Sequence, residues 1–390
     1  MPNNDFYAYQ LQYVDNFKCD GNKCNAKCCH GWRIQIQEDT YEKYKQIKDD
    51  KLRLQILSAF QKDDKGYYAK LTEREGACPL LCKDNLCFIQ RNMGEQYLSE
   101  TCKFYPRHIV SLSGILLHLL TMSCPLAADA ALFSLNGMNL QKINTKKKDI
   151  SWQAAYKLNT NDISTKGDIE EIMVISSLSI LQNSTYKWEE RLILLGLFLD
   201  KADELINLEN CKEKIIDLAI NYQSEEFHNQ AVEFFNAFQF DSEGNKKIMQ
   251  SLFSLSSAVI VGENIDVSNI VNASDEEFNL LHRQIFSEFG QAIINYAIQE
   301  FLFLKYPLVI SGSFMHNYFT YLLMYKEFEY NLYKYIKENG NINKNQFLQI
   351  VIFFSRFTNH GIDLISKIEE KAREYEDDPL GVMQMLIRLY

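Results

Sequence analysis

A mostly α fold is predicted, with a loop-rich N-terminal cysteine module packed on a C-terminal helical bundle. Three features of the 390-residue sequence predict it. Proline is scarce, at 6 residues, and long side chains abound, which favours helix over strands and turns. Long segments after residue 165 carry apolar side chains at helical spacing. Of the 10 cysteines, all but Cys211 fall between Cys19 and Cys124. That uneven distribution divides the chain into a cysteine module at 1–135, a linker at 136–164 and a helical domain at 165–390. The linker opens with "NGMNLQKINTKKKDISW", whose lysine run reads as a solvated loop.

Within the module, the apolar stretch "GILLHLLTMSCPLAADAALF" is broken by His118 and Asp129. It reads as a buried helix rather than a membrane span, which needs about 20 apolar residues. In the helical domain, "EERLILLGLFLDKADELINLE" (189–209) puts Leu192, Leu195, Leu199 and Ile206 near one face. The segment 274–306 opens with Ser274 and Glu277, spaced as a capping box, and ends before Pro307. A third helix is expected over 312–340, closing at Gly340, and a fourth over 343–376, with a bend at Gly361. Their aromatic stripes read as helix–helix core.

Charge narrows the function. A net charge of -10 does not draw the chain to nucleic-acid phosphates or anionic lipid. The stretch "MPNNDFYAYQLQYVDNFK" lacks a charged start followed by an apolar run, so no secretory signal is expected. A cytoplasmic location follows, where thiols stay reduced and a disulfide framework is disfavoured.

The cysteines run Cys19-x4-Cys24-x3-Cys28-Cys29, then Cys78-x3-Cys82-x4-Cys87, then Cys102 and Cys124. Adjacent cysteines do not easily bridge each other, but both can serve nearby metal. Soft thiolates select zinc, copper(I) or iron–sulfur clusters. Cys24-x3-Cys28 and Cys78-x3-Cys82 pass for zinc knuckles. The looser Cys29, Cys102 and Cys124 suit an iron–sulfur centre better. Lys18, Lys23, Lys27 and Arg33 surround the first cysteines and would favour thiolates. Arg107 follows Cys102 closely and is a candidate donor to cluster sulfurs. Arg356 and His360 sit four apart on the last long helix, on one face, as candidates for binding a carboxylate. His30 beside Cys29 reads as unligated.

"FKCDGNKCNAKCCHGWRIQI", "CPLLCKDNLCFIQRNMGEQYLSETCKFYPRHI" and "MSCPLA" together resemble the flagellin lysine N-methylases. They also resemble the wider group of Cys-rich putative iron- or zinc-chelating proteins. The likeness continues in "NYAIQEFLFLKYP" and "FFSRFTNHG". It implies methyl transfer from S-adenosylmethionine to lysines of flagellin. It further implies a [4Fe-4S] cluster on the cysteine module. Carried over residue by residue, Cys19, Cys24, Cys28, Cys29, Cys78, Cys87, Cys102 and Cys124 match the recurrent cysteines, and Cys82 is an extra. Zinc is the alternative metal, and a non-enzymatic metal-binding scaffold the alternative function. The oligomeric state stays open. No Gly-x-Gly-x-Gly loop announces a doubly wound methyltransferase, and no C-x3-C-x2-C run a radical enzyme. Nor does a G-x-S-x-G elbow support a hydrolase.

Overall fold

A computed structural model describes residues 5–24, 26–31, 33–71, 76–111, 116–146, 165–237, 275–304, 313–360, 368, 370, 372–373 and 378–387. The protein is mostly α. Its front third adds two small sheets. Strand β1 (Asp5–Leu11) is followed by α1 (Gly21–Cys24), a single turn among the first cysteines. Next come β2 (Gln35–Ile36), α2 (Glu38–Lys45), α3 (Asp50–Ser58), β3 (Phe60–Asp63) and β4 (Gly66–Ala69). β4 pairs antiparallel with both β2 and β3. Asp49 starts α3 by accepting from the Leu52 amide at 3.0 Å, which satisfies one orphan donor of the first turn. Ile34, Ile36, Tyr44, Ile56, Leu80 and Ile89 close into a small core of their own.

The chain continues through α4 (Phe88–Met93), α5 (Glu100–Phe104), β5 (Arg107–Ser111), β6 (Leu116–Leu120), α6 (Pro125–Phe133) and β7 (Leu140–Lys146). A four-stranded sheet runs in the order β5-β6-β1-β7, with β1 parallel to β6 and antiparallel to β7. The apolar stretch expected as one helix is a strand followed by a helix. β6 lies between β1 and β5, and Leu116, Leu117, Leu119 and Leu120 are all buried. A short apolar run in a strand buried on both faces has no period that separates it from buried helix. Pro125 then stands at the first helical position, where its missing amide costs nothing. Leu140–Lys146, in the stretch read as linker, pair with β1; 147–164 lie outside the described residues.

The rear holds α7 (Thr165–Gln182), α8 (Trp188–Leu205), α9 (Cys211–Asn221), α10 (Glu225–Ala237), α11 (Asp275–Leu304), α12 (Phe314–Asn339), α13 (Lys344–His360) and α14 (Pro379–Ile387). The expected helices at 189–209, 274–306 and 312–340 correspond to α8, α11 and α12. The expected fourth is described as α13. Ser274, Pro307 and Gly361 fall outside the described residues. α12 is the axis: 318–330 are buried without interruption, because α8, α11, α13 and α14 pack around it. Gly196 lets α8 come close, since a Cβ there would stand 3.0 Å from Tyr318 Cε1 and overlap Met383 Sδ.

Two helices of this bundle, α11 and α13, also pack on α6 and so tie the bundle to the front sheet. Tyr13 clips the join. Its hydroxyl donates to Gln299 Oε1 at 2.8 Å and accepts from the Leu120 amide at 3.1 Å, while Gln299 Nε2 donates to the Leu120 carbonyl at 2.9 Å. The sheet, α6 and the bundle share one continuous main core.

Candidate active site: a thiol shell met by Arg356

Several segments of the front third carry the cysteines together. Cys28 and Cys29 lie in a tight turn over 27–29, entered through Ala26 at φ +47. That turn is zipped to the next cysteine segment: the Cys78 amide donates to the Cys29 carbonyl at 2.7 Å and the Gly31 amide to the Gly76 carbonyl at 2.9 Å. His30 and Ala77 form a bridge between them. Cys87 is paired with Leu81 across the following loop and stands at the N-cap of α4. Ser99 caps α5 by accepting from the Cys102 amide at 3.3 Å, and the Gln37 side chain takes the Glu100 amide at 3.0 Å. α1 carries Cys24 and packs on α6, whose N-cap is Cys124. Gly21 is required there, since a Cβ would stand 2.7 Å from the Asn85 carbonyl oxygen.

The thiols stand close enough to feel one another's charge. The Cys29 thiol donates to the Cys28 sulfur; this bond lowers Cys28 to about 7 and raises Cys29. Burial lifts Cys78 to about 11, and the charges of Cys87 and Cys28 add to it. Burial also lifts Cys102 to about 12, with Cys87, Cys78 and Cys28 adding. Cys102 keeps some surface toward solvent, but its sulfur is crowded by protein. Burial sets Cys124 at about 12, with Cys24 and Cys28 adding, and raises Cys19, where Cys28 and Cys24 add again. Cys82 acts on Cys87.

This is a shell of like groups, and apart from the effect of Cys29 on Cys28 their charges make one another harder to ionise. A thiophilic cation relieves that repulsion, so the donor set fits an iron–sulfur or zinc centre in kind. Among the described residues, no three Cys, His, Asp or Glu side chains form a closed group that could hold a metal ion.

The predicted cations divide. Arg33 is engaged elsewhere: its guanidinium makes two 2.7 Å bonds to Asp63 and stacks on Tyr68 at 3.6 Å. Lys23 pairs with Asp20 at 3.8 Å. Arg107 stands near Cys19 and over the Phe17 ring at 5.7 Å. Arg356 reaches the shell from α13, near enough to Cys28 and Tyr105 to favour their ionised forms. The His360 side chain is outside the described residues. His30 Nδ1 lies 3.1 Å from the Ala26 carbonyl oxygen. Tyr105 shares a 3.1 Å hydrogen bond with Ser123, which is 3.0 Å from Thr121 Oγ1. Burial first, then Cys124, keeps Tyr105 a neutral phenol. The Thr121–Ser123 pair was not predicted; its only signal is adjacency to Cys124.

The helices that bring Arg356 to the thiols match a known family model. The FliB lysine N-methylase C-terminal domain covers residues 175–386, more than half of the chain. The chain belongs to the FliB lysine N-methylase family. Membership in this family agrees with the resemblance carried by the cysteine motifs. The chain is also 32% identical over 117 residues to the flagellar biosynthetic protein FliU of Salmonella muenchen, covering 29% of this chain and 69% of that protein. Lysine-N-methylases of Salmonella choleraesuis and Salmonella typhimurium match at 32% over 117 residues, or 29% of this chain and 29% of each relative. The aligned part thus spans less than a third of those two methylases. No solved structure matches. Among the described residues, no helix of this FliB-family chain is long and apolar enough to cross a membrane.

Proposed function

We propose that the protein is a cytoplasmic protein-lysine N-methyltransferase that takes its methyl group from S-adenosylmethionine and acts on flagellin, with an iron–sulfur centre held by the cysteine shell. One observation carries the reading. Arg356, on a helix of the methylase-family domain, lies within electrostatic reach of Cys28 and Tyr105 of the thiol shell. A guanidinium near a thiol shell is suited to a carboxylate, and the methyl donor carries one. Arg107 lies on the Cys19 side of the shell. His360 follows Arg356 by one helical turn and is proposed as a further donor to the same ligand. The names of the relatives support lysine as the acceptor and the flagellum as its setting.

In the transfer, a neutral lysine nitrogen forms a bond to the methyl carbon as the carbon–sulfur bond breaks. The sulfur keeps the electron pair, and a proton leaves the nitrogen. Lysine's ordinary pKa is about 10.4, so the acceptor must lose a proton before it reacts. Arg356 would hold the donor and, by its positive charge, favour the neutral amine nearby. An iron–sulfur centre, when bound, would supply an open iron or an electron.

Anaerobically purified protein, reconstituted with iron and sulfide, is incubated with flagellin and isotopically labelled S-adenosylmethionine. Label on flagellin lysines is expected, reduced at least tenfold by Arg356→Ala and partly restored by Arg356→Lys. Transfer unchanged in iron-free protein removes the centre from the reaction. Metal bound tightly, with neither donor binding nor transfer, favours the scaffold reading instead.

A further inference from the structure

We propose that the thiol shell is two metal sites: Cys19, Cys24, Cys28 and Cys124 form one tetrad, and Cys29, Cys78, Cys87 and Cys102 the other. This rests on the reading that the thiols bind a thiophilic metal, and it fixes how many centres there are and which does what.

The division follows the two hydrophobic cores. Cys124 belongs to the main core, whereas Cys78 and Cys87 pack against the small core built on Ile34, Tyr44 and Leu80. Backbone pairing respects the same line. Cys29 is zipped to Cys78, and Cys87 is bridged to Leu81, three residues beyond Cys78. On the other side, the helix carrying Cys24 packs on the helix that Cys124 begins. Side-chain neighbourhoods cross the line at Cys28. Cys24 and Cys28 bear on Cys19 and Cys124, Cys78 and Cys102 bear on Cys29, and Cys28 bears on Cys29, Cys78, Cys87 and Cys102 as well.

Cys28 and Cys29 are the seam. As thiols they hydrogen-bond to each other across it. Metal binding removes their protons. Consecutive cysteines are what two centres separated by one backbone turn require.

The tetrads differ in setting, which assigns their roles. The Cys28 side is met by Arg356 and Tyr105, next to the methylase-family helices. The Cys29 side faces Tyr44, which donates from within the small core to the Tyr97 carbonyl at 2.7 Å. A core that small gains much from a metal staple. The second tetrad is therefore a structural four-thiolate centre, and the first is the one available for chemistry.

Iron, zinc and acid-labile sulfide are counted per chain in anaerobically purified full-length protein, in wild type and in Cys124→Ser and Cys87→Ser. Wild type is expected to carry two separable complements. Cys124→Ser loses one and keeps the other, and Cys87→Ser does the reverse. Cys87→Ser alone increases amide exchange across residues 34–98. Cys19→Ser and Cys102→Ser, at positions that touch solvent, repeat each arm if a buried substitution prevents folding. Loss of the same whole complement in both arms means one shared centre and overturns the division. So does a single complement that only one arm removes. Metal-free wild type overturns instead the reading on which the division rests.

Discussion

In α12, Lys326 Nζ lies 2.7 Å from Glu329 with both side chains almost fully buried. The other Glu329 oxygen takes a short bond from the Tyr325 hydroxyl, which itself accepts from Trp188 Nε1 at 2.8 Å. In the thiol shell no such exchange is possible among the cysteines, because every one of them would carry the same sign. One cluster of titratable groups closes on itself; the other asks for a cation from outside. The difference teaches how to sort such clusters. Opposite charges that satisfy one another are read as architecture, and like groups that raise one another are read as a site.

The comparison breaks most visibly if α12's cluster is opened. Lys326→Met leaves the buried Glu329 carboxyl without its cation, at a cost of about 3–5 kcal/mol. Replacing both, with Lys326→Met and Glu329→Gln, recovers most of that loss. Chemical denaturation of the two variants measures it. A single variant within about 0.5 kcal/mol of wild type would show that the pair is solvated and that α12 is not the closed cluster described here.

Glu300, on α11, is the case between. It is fully buried, and among the described residues neither carboxylate oxygen has a hydrogen-bond partner. Burial alone raises it from 4.5 to about 8. Below pH 4.5 it is protonated in both folded and unfolded chains and costs little. Between 4.5 and about 8 only the unfolded chain ionises, so stability falls as pH rises, by on the order of 5 kcal/mol in all. Glu300→Leu should therefore stabilise the protein, with the gain largest above pH 8 and small near pH 5. Urea unfolding at the two values checks it. An equal gain at both would mean that the carboxyl does not titrate in this range.

These contrasts also mark what the sequence discloses. The long helices were legible because apolar spacing and end signals agree: α12 closes at Gly340 as expected, while its start at Ser313 is a finding of the structure. The cysteine module announced its thiols but not its strands. β6 is apolar on both faces, and β1 and β7 meet only through pairing across more than a hundred residues, which no local pattern encodes. Arg107 and Arg356 were nominated by adjacency to a motif and by helical spacing, and each lies within electrostatic reach of a thiol of the module. Arg33 was misplaced because proximity in sequence to Cys28 and Cys29 does not reveal Asp63, thirty residues on, as the stronger partner. Two hydrophobic cores beneath one cysteine motif were not visible at all.

Helix caps give a smaller effect. Asp203 accepts the Phe314 and Met315 amides at 2.7 and 2.8 Å and the Ser313 hydroxyl at 2.7 Å, so it caps α12 from α8. Asp203→Ala should cost about 1–2 kcal/mol, and Ser313→Ala about 1 kcal/mol or less. No loss on Asp203→Ala in thermal melts would place the cap on Ser313 alone.

The smallest effect belongs to the shell itself. Cys82 is in the cysteine run, yet it bears on Cys87 and is tied by its own amide to the Leu86 carbonyl at 2.9 Å in a local turn. It completes neither tetrad. Cys82→Ser keeps size and shape at a partly exposed position, so stability should change by less than about 0.5 kcal/mol. Metal content should equal that of wild type, where Cys87→Ser would lose a complement. The two variants sit on the same loop, which makes the contrast sharp: local disturbance affects both, ligation only one. Metal lost on Cys82→Ser would make Cys82 a ligand and move one of the four thiols of the small-core tetrad out of it.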